Sequence, residues 1–536
     1  MTPQDVAGLR PQARSMDSLL EKLWARLLVP SLSDLFFLAV LVWLFSAGSS
    51  GWQGLLADAD VGWHIRTGEY VLDHTTVPSH DLYSFSKPGA TWYAWEWLTD
   101  VTDALLFRWA GLKGVVLAAA VLISLFATTL VRRMTWRGVH LLVAMLVAFL
   151  GVGASSMHFL ARPHVFTLLF LSGSVWMIES DRRKASNRIW LLVPLTVVWT
   201  NMHGGFLALV AVLGVTAVGS AMEVLLEAPP ELRLKPEGLL ASLRGGLRYG
   251  YLTLACLAAS LVNPFGWRLH QHVIEYLRST WIRDVVEEFQ SPSFRNENVM
   301  QFEVLMLVGL IAAGGLFKRK RIVEGLWIVF WVHMSLGSVR HVPVFITVTI
   351  PVIAAEVALW WQGWTEGAAR TSLAGILNQI SADAGQGFRR TSLIPFAAVL
   401  ALMVMGEPIK WPRDFPELLF PTKLIHAHED IIFDKKVLTT DQWADYLIFL
   451  HPTQKVYVDG RSDFYGQEVG NEYIRLLNGG KDWAKTLETR GFETALISTD
   501  LALAQLLKQR SDWQVVAEEG KRILLVRTSV PVRASR

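Results

Sequence analysis

The stretch LLADADVGWHIRTGEY, Leu55 to Tyr70, follows directly on the first long apolar run of the chain, near 34–50. It therefore puts a carboxylate pair one residue apart, Asp58 and Asp60, at a membrane edge, with Trp63, His64 and Arg66 close behind. Charged groups at that depth are costly unless paired or used, and an acidic pair has no anchoring role there. Composition supports the membrane. Hydrophobic residues are 52% of the 536 and charged residues only 18%, below the charge that a soluble domain carries.

Outward from this stretch, apolar runs recur near 34–50, 112–131, 139–157, 164–179, 189–201, 204–226, 249–263, 302–317, 322–339, 342–361 and 391–407. These predict a polytopic α-helical membrane protein with about eleven transmembrane helices. The first run begins behind a long polar and basic leader, too far in for a cleavable signal, so it reads as a retained anchor. The net charge of +3 is too small to suggest a nucleic-acid partner. A single cysteine, Cys256, excludes an internal disulfide and any cysteine-built metal site.

Basic clusters alternate between the connections. One side collects Arg10, Arg14, Lys22 and Arg26, then Arg132, Arg133 and Arg137, and so on to Arg389 and Arg390. The positive-inside rule makes that side cytoplasmic, with the N-terminus inside and the C-terminus outside. The expected division is a cytoplasmic leader (1–33), a transmembrane domain (34–410) with long exterior loops at 51–111 and 264–301, and an extracytoplasmic α/β domain (411–536).

Nearly all histidines of the membrane part fall on the exterior side. Taken singly, interfacial His, Trp and Arg are common belt residues; their convergence on one face with an acidic pair is the functional signal. Asp58 or Asp60 suits acceptance of a proton from a hydroxyl, or a hold on a divalent metal ion. Arg66, Arg162, Arg268 and Arg340 are permanent charges suited to phosphate oxygens. His64, His164, His203 and His341 suit donation to phosphate; as zinc ligands they are too dispersed to make a strong signal.

Residues 92–110 read either as an amphipathic interfacial helix or as an extension of the next span. The loop NPFGWRLHQHVIEYLRSTWIRDVVEEFQSPSF predicts a helix from Trp267 to about Thr280, lying over the site as a cover. In the last segment VLTT, KVYVDG, ETALIST, WQVVAEE and RILLVRT read as strands between helices, an α/β domain. Asp459, Arg461 and Asp463 follow one strand end; a buried Asp–Arg pair shaping a turn is the favoured reading, a ligand site the other.

The acidic pair after the first transmembrane helix, the long first loop and the exterior C-terminal domain resemble the GT-C superfamily of membrane glycosyltransferases. More narrowly, DADVGWHIRTGEY, ARPHVFTLLF, NPFGWRLHQHVIEYL, EEFQSP and VDGRSDFYG, in this order, resemble a group of bacterial polytopic proteins described as glycosyltransferases. The resemblance covers most of the chain. It implies an inner-membrane enzyme that moves a sugar from a polyprenyl-phosphate donor to a glycan, lipid or protein acceptor, with Asp58 or Asp60 as base or acceptor-positioning group. The chain departs from oligosaccharyltransferases in lacking a WWDYG-like signature, and no extended match to protein mannosyltransferases or aminoarabinose transferases is found, so sugar and acceptor stay open. Two other classes stand beside this one: a transporter or flippase of a lipid-linked glycan, which calls for ionisable residues at mid-membrane, and a non-catalytic membrane scaffold. No P-loop, dinucleotide fingerprint or serine elbow is found.

Overall fold

The computed structural model describes residues 24, 27–46, 51–388, 391–404 and 411–528. Arg10, Arg14, Lys22 and Arg26 of the leader, and Arg389 and Arg390, lie outside the described residues.

Among the described residues, each apolar run of the sequence overlaps a helix. In chain order the helices are α1 (Leu32–Ser46), α2 (Asp60–His74), α3 (Trp97–Trp136), α4 (Leu141–Ser155), α5 (His164–Arg183), α6 (Leu192–Met202), α7 (Phe206–Glu227) and α8 (Pro236–Ala259). They continue with α9 (Trp267–Arg278), α10 (Thr280–Val285), α11 (Glu297–Lys318), α12 (Ile322–Gly337), α13 (Val342–Thr365), α14 (Leu373–Gly387) and α15 (Ile394–Val404). Among the described residues, five helical stretches are long and apolar enough to cross a membrane, at 97–136, 141–158, 206–227, 297–318 and 339–365. Three more apolar helices, α1, α12 and α15, are shorter. The chain is thus built as a multi-pass membrane protein, although these lengths do not establish a count of eleven spans.

Both readings of residues 92–110 meet in α3. The helix runs on from Trp97 into the apolar segment, but the backbone leaves the helical region at Gly111 (φ 62°, ψ −157°), a conformation glycine reaches without a Cβ penalty. Its first part packs on α2 so closely that a methyl group at Gly68 would lie 1.9 Å from the Asp100 carbonyl oxygen.

The far ends of the same helices carry an ion network. Arg133 and Arg137 of the α3 end reach Glu179 of α5 at 3.2 and 3.0 Å, Arg182 reaches Glu223 of α7 at 2.9 Å, and Arg321 reaches Glu324 of α12 at 2.7 Å. Arg319 pairs with Glu356 of α13. Buried charges persist only when paired, so these contacts bind the helices together at that end.

After residue 411 the described chain forms a four-stranded sheet in the order β1 (Val437–Thr439), β2 (Thr494–Ser498), β4 (Arg522–Arg527), β3 (Trp513–Glu519). β1 and β2 are parallel; the other pairings are antiparallel. Helices α16 (Thr422–Ala427), α17 (Glu429–Ile432), α18 (Asp441–Leu450), α19 (Ser462–Leu477), α20 (Trp483–Arg490) and α21 (Ala502–Lys508) surround it. KVYVDG is not a strand: Val456 makes only isolated bridges, to Val437 on one side and to Ser84 of the first loop on the other. That loop is built into the domain. Trp63, Tyr83, Trp92 and Ala94 share one apolar core with Val456, Tyr457, Phe464 and Phe492. The backbone of Tyr83 and Phe85 exchanges hydrogen bonds with Val456 at 2.8 and 2.9 Å.

Candidate active site between the helical bundle and the C-terminal domain

Asp58 opens the site by shaping its own backbone. Its Oδ1 accepts from the Asp60 N–H at 3.0 Å, where α2 begins. That turn leaves Oδ2 of both acids facing one side chain. Arg162 donates through Nη1 to Asp58 at 2.6 Å and meets Asp60 through Nη2 at 2.6 Å; Nη1 also meets Glu288 at 3.2 Å. Arg162 sits in the short connection between α4 and α5, held there by the Ala161 N–H bond to the Leu55 carbonyl at 2.8 Å. Burial opposes the charge of Glu288, but Arg162 and Arg340 outweigh it and hold its carboxyl down to about 2.

The C-terminal domain closes on Asp60 from behind. Gly460 donates its N–H to both oxygens of Asp445 on α18, at 3.1 Å each. A methyl group at Gly460 would lie 2.1 Å from Asp60 Oδ1 and 2.8 Å from Asp445 Oδ2, so a side chain there would collide with both acids. Burial pushes the Asp60 carboxyl well above the usual range against the pull of Arg162, and burial with the nearby Asp60 and Asp459 does the same to Asp445.

A second polar group lies beside the first. Glu96, at the start of α3, faces His64 Nε2 at 3.7 Å and His203 Nε2 at 3.6 Å, and burial raises its carboxyl to about 8. His64 is held by Asp100 at 2.6 Å, and His203 Nδ1 lies 2.8 Å from Thr167 Oγ1 and accepts the Gly205 N–H at 2.9 Å. Burial drives both imidazoles well below their ordinary range, so they stand beside Glu96 as neutral rings.

These groups border a cavity of about 1100 Å³. Asp58, Asp60, Arg162, His164, His203, Arg340 and His341 all line it. His64 stands behind the wall, buried against Trp63. Arg66 and Arg268 are not among the lining residues. Arg66 binds Glu69 at 2.6 Å and donates to the Phe449 carbonyl at 2.8 Å, which pins α2 to α18; Arg268 is exposed on α9. Arg340 lies over the Phe289 ring at 4.4 Å, and no carboxylate stands within 4 Å of it among the described residues. From this polar centre an apolar arm runs between Leu207, Ala208 and Ala211 of α7 and Phe330, Trp331 and Met334 of α12. Trp63, Trp92, Trp95, Tyr276 and Trp281 also line the cavity, with Asp441 and Asp463, as an aromatic and acidic wall.

Glu96 and Asp445 do not announce themselves in the sequence: the first looks like the polar face of a helix, the second like one turn of a soluble helix. Glu288 lies in the EEFQSP stretch, which marks the loop but gives that residue no role. In VDGRSD the Asp–Arg turn is present: Arg461 donates to Asp459 at 2.8 and 2.6 Å and reaches Asp81 of the first loop at 2.8 Å.

A divalent ion does not fit the acidic pair as it is arranged. One oxygen of each acid is taken by Arg162, the second oxygen of Asp58 by a backbone N–H, and the second oxygen of Asp60, buried without a hydrogen-bond partner, is hemmed in by Gly460 and Asp445. Among the described residues no three His, Cys, Asp or Glu side chains are grouped so as to hold a metal.

No family model and no curated protein matches the sequence. Solved structures do match. The oligosaccharyltransferase of Archaeoglobus fulgidus tethered with an acceptor peptide is similar at a TM-score of 0.50 and 10% identity, over 87% of this chain and 68% of that one. Archaeal oligosaccharyltransferase AglB from the same organism, in complex with an inhibitory peptide and a dolichol-phosphate, is similar at 0.51 and 11% identity, over 87% and 69%. At such identity the likeness is one of fold: this chain folds like the archaeal oligosaccharyltransferase.

Proposed function

We propose that the cavity transfers a sugar from a polyprenyl-phosphate donor to an acceptor hydroxyl on the extracytoplasmic face of a bacterial inner membrane. The observation that carries this reading is the union, in one cavity, of a carboxylate, an arginine with no carboxylate within 4 Å among the described residues, and an apolar arm between two helices. A lipid phosphate needs the last two; glycosyl transfer to a hydroxyl needs the first.

In this reading the isoprenoid lies along the α7–α12 arm and Arg340 holds the phosphate, with His164, His203 and His341 as neutral partners. The sugar rests against the aromatic and acidic wall. Asp58 is the base, because its side chain is 16% exposed while that of Asp60 is 6% exposed and closed off by Gly460. The acceptor oxygen bonds to the anomeric carbon as the bond from that carbon to the phosphate oxygen breaks. The acceptor proton passes to Asp58, and the polyprenyl phosphate leaves with the bonding pair. Exterior placement rests on the distribution of basic clusters. The ion network at the far ends of α3, α5, α7, α12 and α13 favours transfer over a flippase, since rocking of the helices would break it.

The test is incorporation of labelled sugar from a panel of polyprenyl-phosphate sugars into membrane acceptors, at matched protein abundance. Asp58→Asn is expected to lower transfer by about 100-fold or more, the usual scale for a general base, and Asp60→Asn by less. Transfer unaffected by Asp58→Asn would refute the assignment.

A further inference from the structure

Arg162 stands at the point where a divalent cation bound by Asp58 and Asp60 would have to be. Its two terminal nitrogens each lie 2.6 Å from one acid, and Glu288 completes the set at 3.2 Å. A hard divalent ion needs about six oxygens at fixed distances, and the guanidinium already occupies the facing oxygen of each acid. The planar fork matches two carboxylates better than an ammonium would, and it stays charged at every working pH. Removing the arginine leaves three acids facing one another with no cation between them, an arrangement that a divalent ion would fill.

We propose that Arg162 is the resident cation of this site: a protein-borne charge that holds Asp58, Asp60 and Glu288 in place of a divalent metal, and makes the site independent of one. Arg162 is then a positioning residue for the acid pair and not the phosphate ligand, which leaves Arg340 in that part. The inference rests on the transfer reading only where activity is measured.

The experiment is titration of the purified, detergent-solubilised full chain with Mn²⁺, followed by calorimetry and by the Mn²⁺ electron-spin signal. Wild type is expected to show no site tighter than about 1 mM, the weak end for oxygen-ligand sites. Arg162→Gln is expected to gain a site at least about tenfold tighter, a change read directly from the dissociation constant. Arg162→Lys keeps a charge there and is expected not to gain one. If Arg162→Gln fails to fold, Arg162→Met keeps an uncharged side chain of similar length beside the same acids and is expected to gain the site. A stoichiometric Mn²⁺ site in wild type that Asp58→Asn removes would overturn the proposal, as would folded Arg162→Gln binding no tighter than wild type. In the transfer assay, a chelator is expected to leave activity unchanged, and loss on chelation restored by Mn²⁺ would also overturn it. Absence of transfer from every donor would count against the transfer reading while the wild-type titration still decides this one.

Discussion

Replacing Arg461 by methionine should loosen the packing of the C-terminal domain on the first loop more than any change on its surface. The side chains of Arg461, Asp459 and Asp81 are 1%, 0% and 1% exposed. Arg461 makes three charged hydrogen bonds of 2.6 to 2.8 Å to the two acids and lies 4.5 Å from the Trp92 ring. Methionine fills most of the volume but leaves two buried carboxylates without a cation: Asp459 keeps the Tyr465 hydroxyl at 2.7 Å, and Asp81 keeps the Ser84 hydroxyl at 2.7 Å and the backbone N–H groups of Tyr83 and Ser84. Breaking one buried pair costs about 3–5 kcal/mol, and two acids share this arginine, so the upper half of that range applies. At about 2–4 °C per kcal/mol for a domain of this size, thermal unfolding in detergent, followed by tryptophan fluorescence, should fall by about 8 °C or more. The triple variant Arg461→Met, Asp459→Asn, Asp81→Asn should recover much of the loss, because the unpaired charges go with the arginine. A single variant within about 1 °C of wild type, on that same scale, would refute the reasoning, and so would a triple variant no better than the single one.

Gly460→Ala should lower transfer at unchanged abundance, and by no more than Asp60→Asn does, since the new methyl displaces Asp60 beside the base; activity equal to wild type would show that Asp60 has room to move. Two pH trends of opposite sign should appear in thermal stability. Glu288 is held down to about 2, so its contribution is complete above the ordinary glutamate range near 4.5 and is lost as pH falls toward 2, a loss that Glu288→Gln should flatten. Glu96 is raised to about 8 by burial, so stability should instead decline as pH rises from about 4.5 through 8, and Glu96→Gln should flatten that limb.

The helices were legible because apolar runs of bilayer length have few other solutions, and the acidic pair was legible because charge beside such a run is costly. What escaped depended on contacts across long stretches of chain. Arg162 reads as a phosphate ligand until the fold brings it, 104 residues on, between Asp58 and Asp60. Asp445 belongs to a helix that looks soluble and ordinary, and only the closure of Gly460 over Asp60 puts it at the site. Arg66 lies in the same motif as the acids but one turn further round α2, where it faces α18. KVYVDG has the alternation of a strand, yet its neighbours are β1 and a segment of the first loop, each touching it at one residue. In both places the pattern reported burial correctly and left the partner unspecified.

The first loop and the C-terminal domain share a core, although Ser86 and its partner Tyr457 lie 371 residues apart. At the usual pace of about 5–20 residues per second, a ribosome needs on the order of 20–75 s to make the chain between them. Throughout that interval Tyr83, Phe85 and Trp92 are already synthesised and lack the surface they pack on. A holding factor on that side of the membrane, or transient cover from the lipid headgroups, would have its moment of use here. A chimera that exchanges the C-terminal domain should carry residues 75–95 with it, or it will repeat that waiting state without an end.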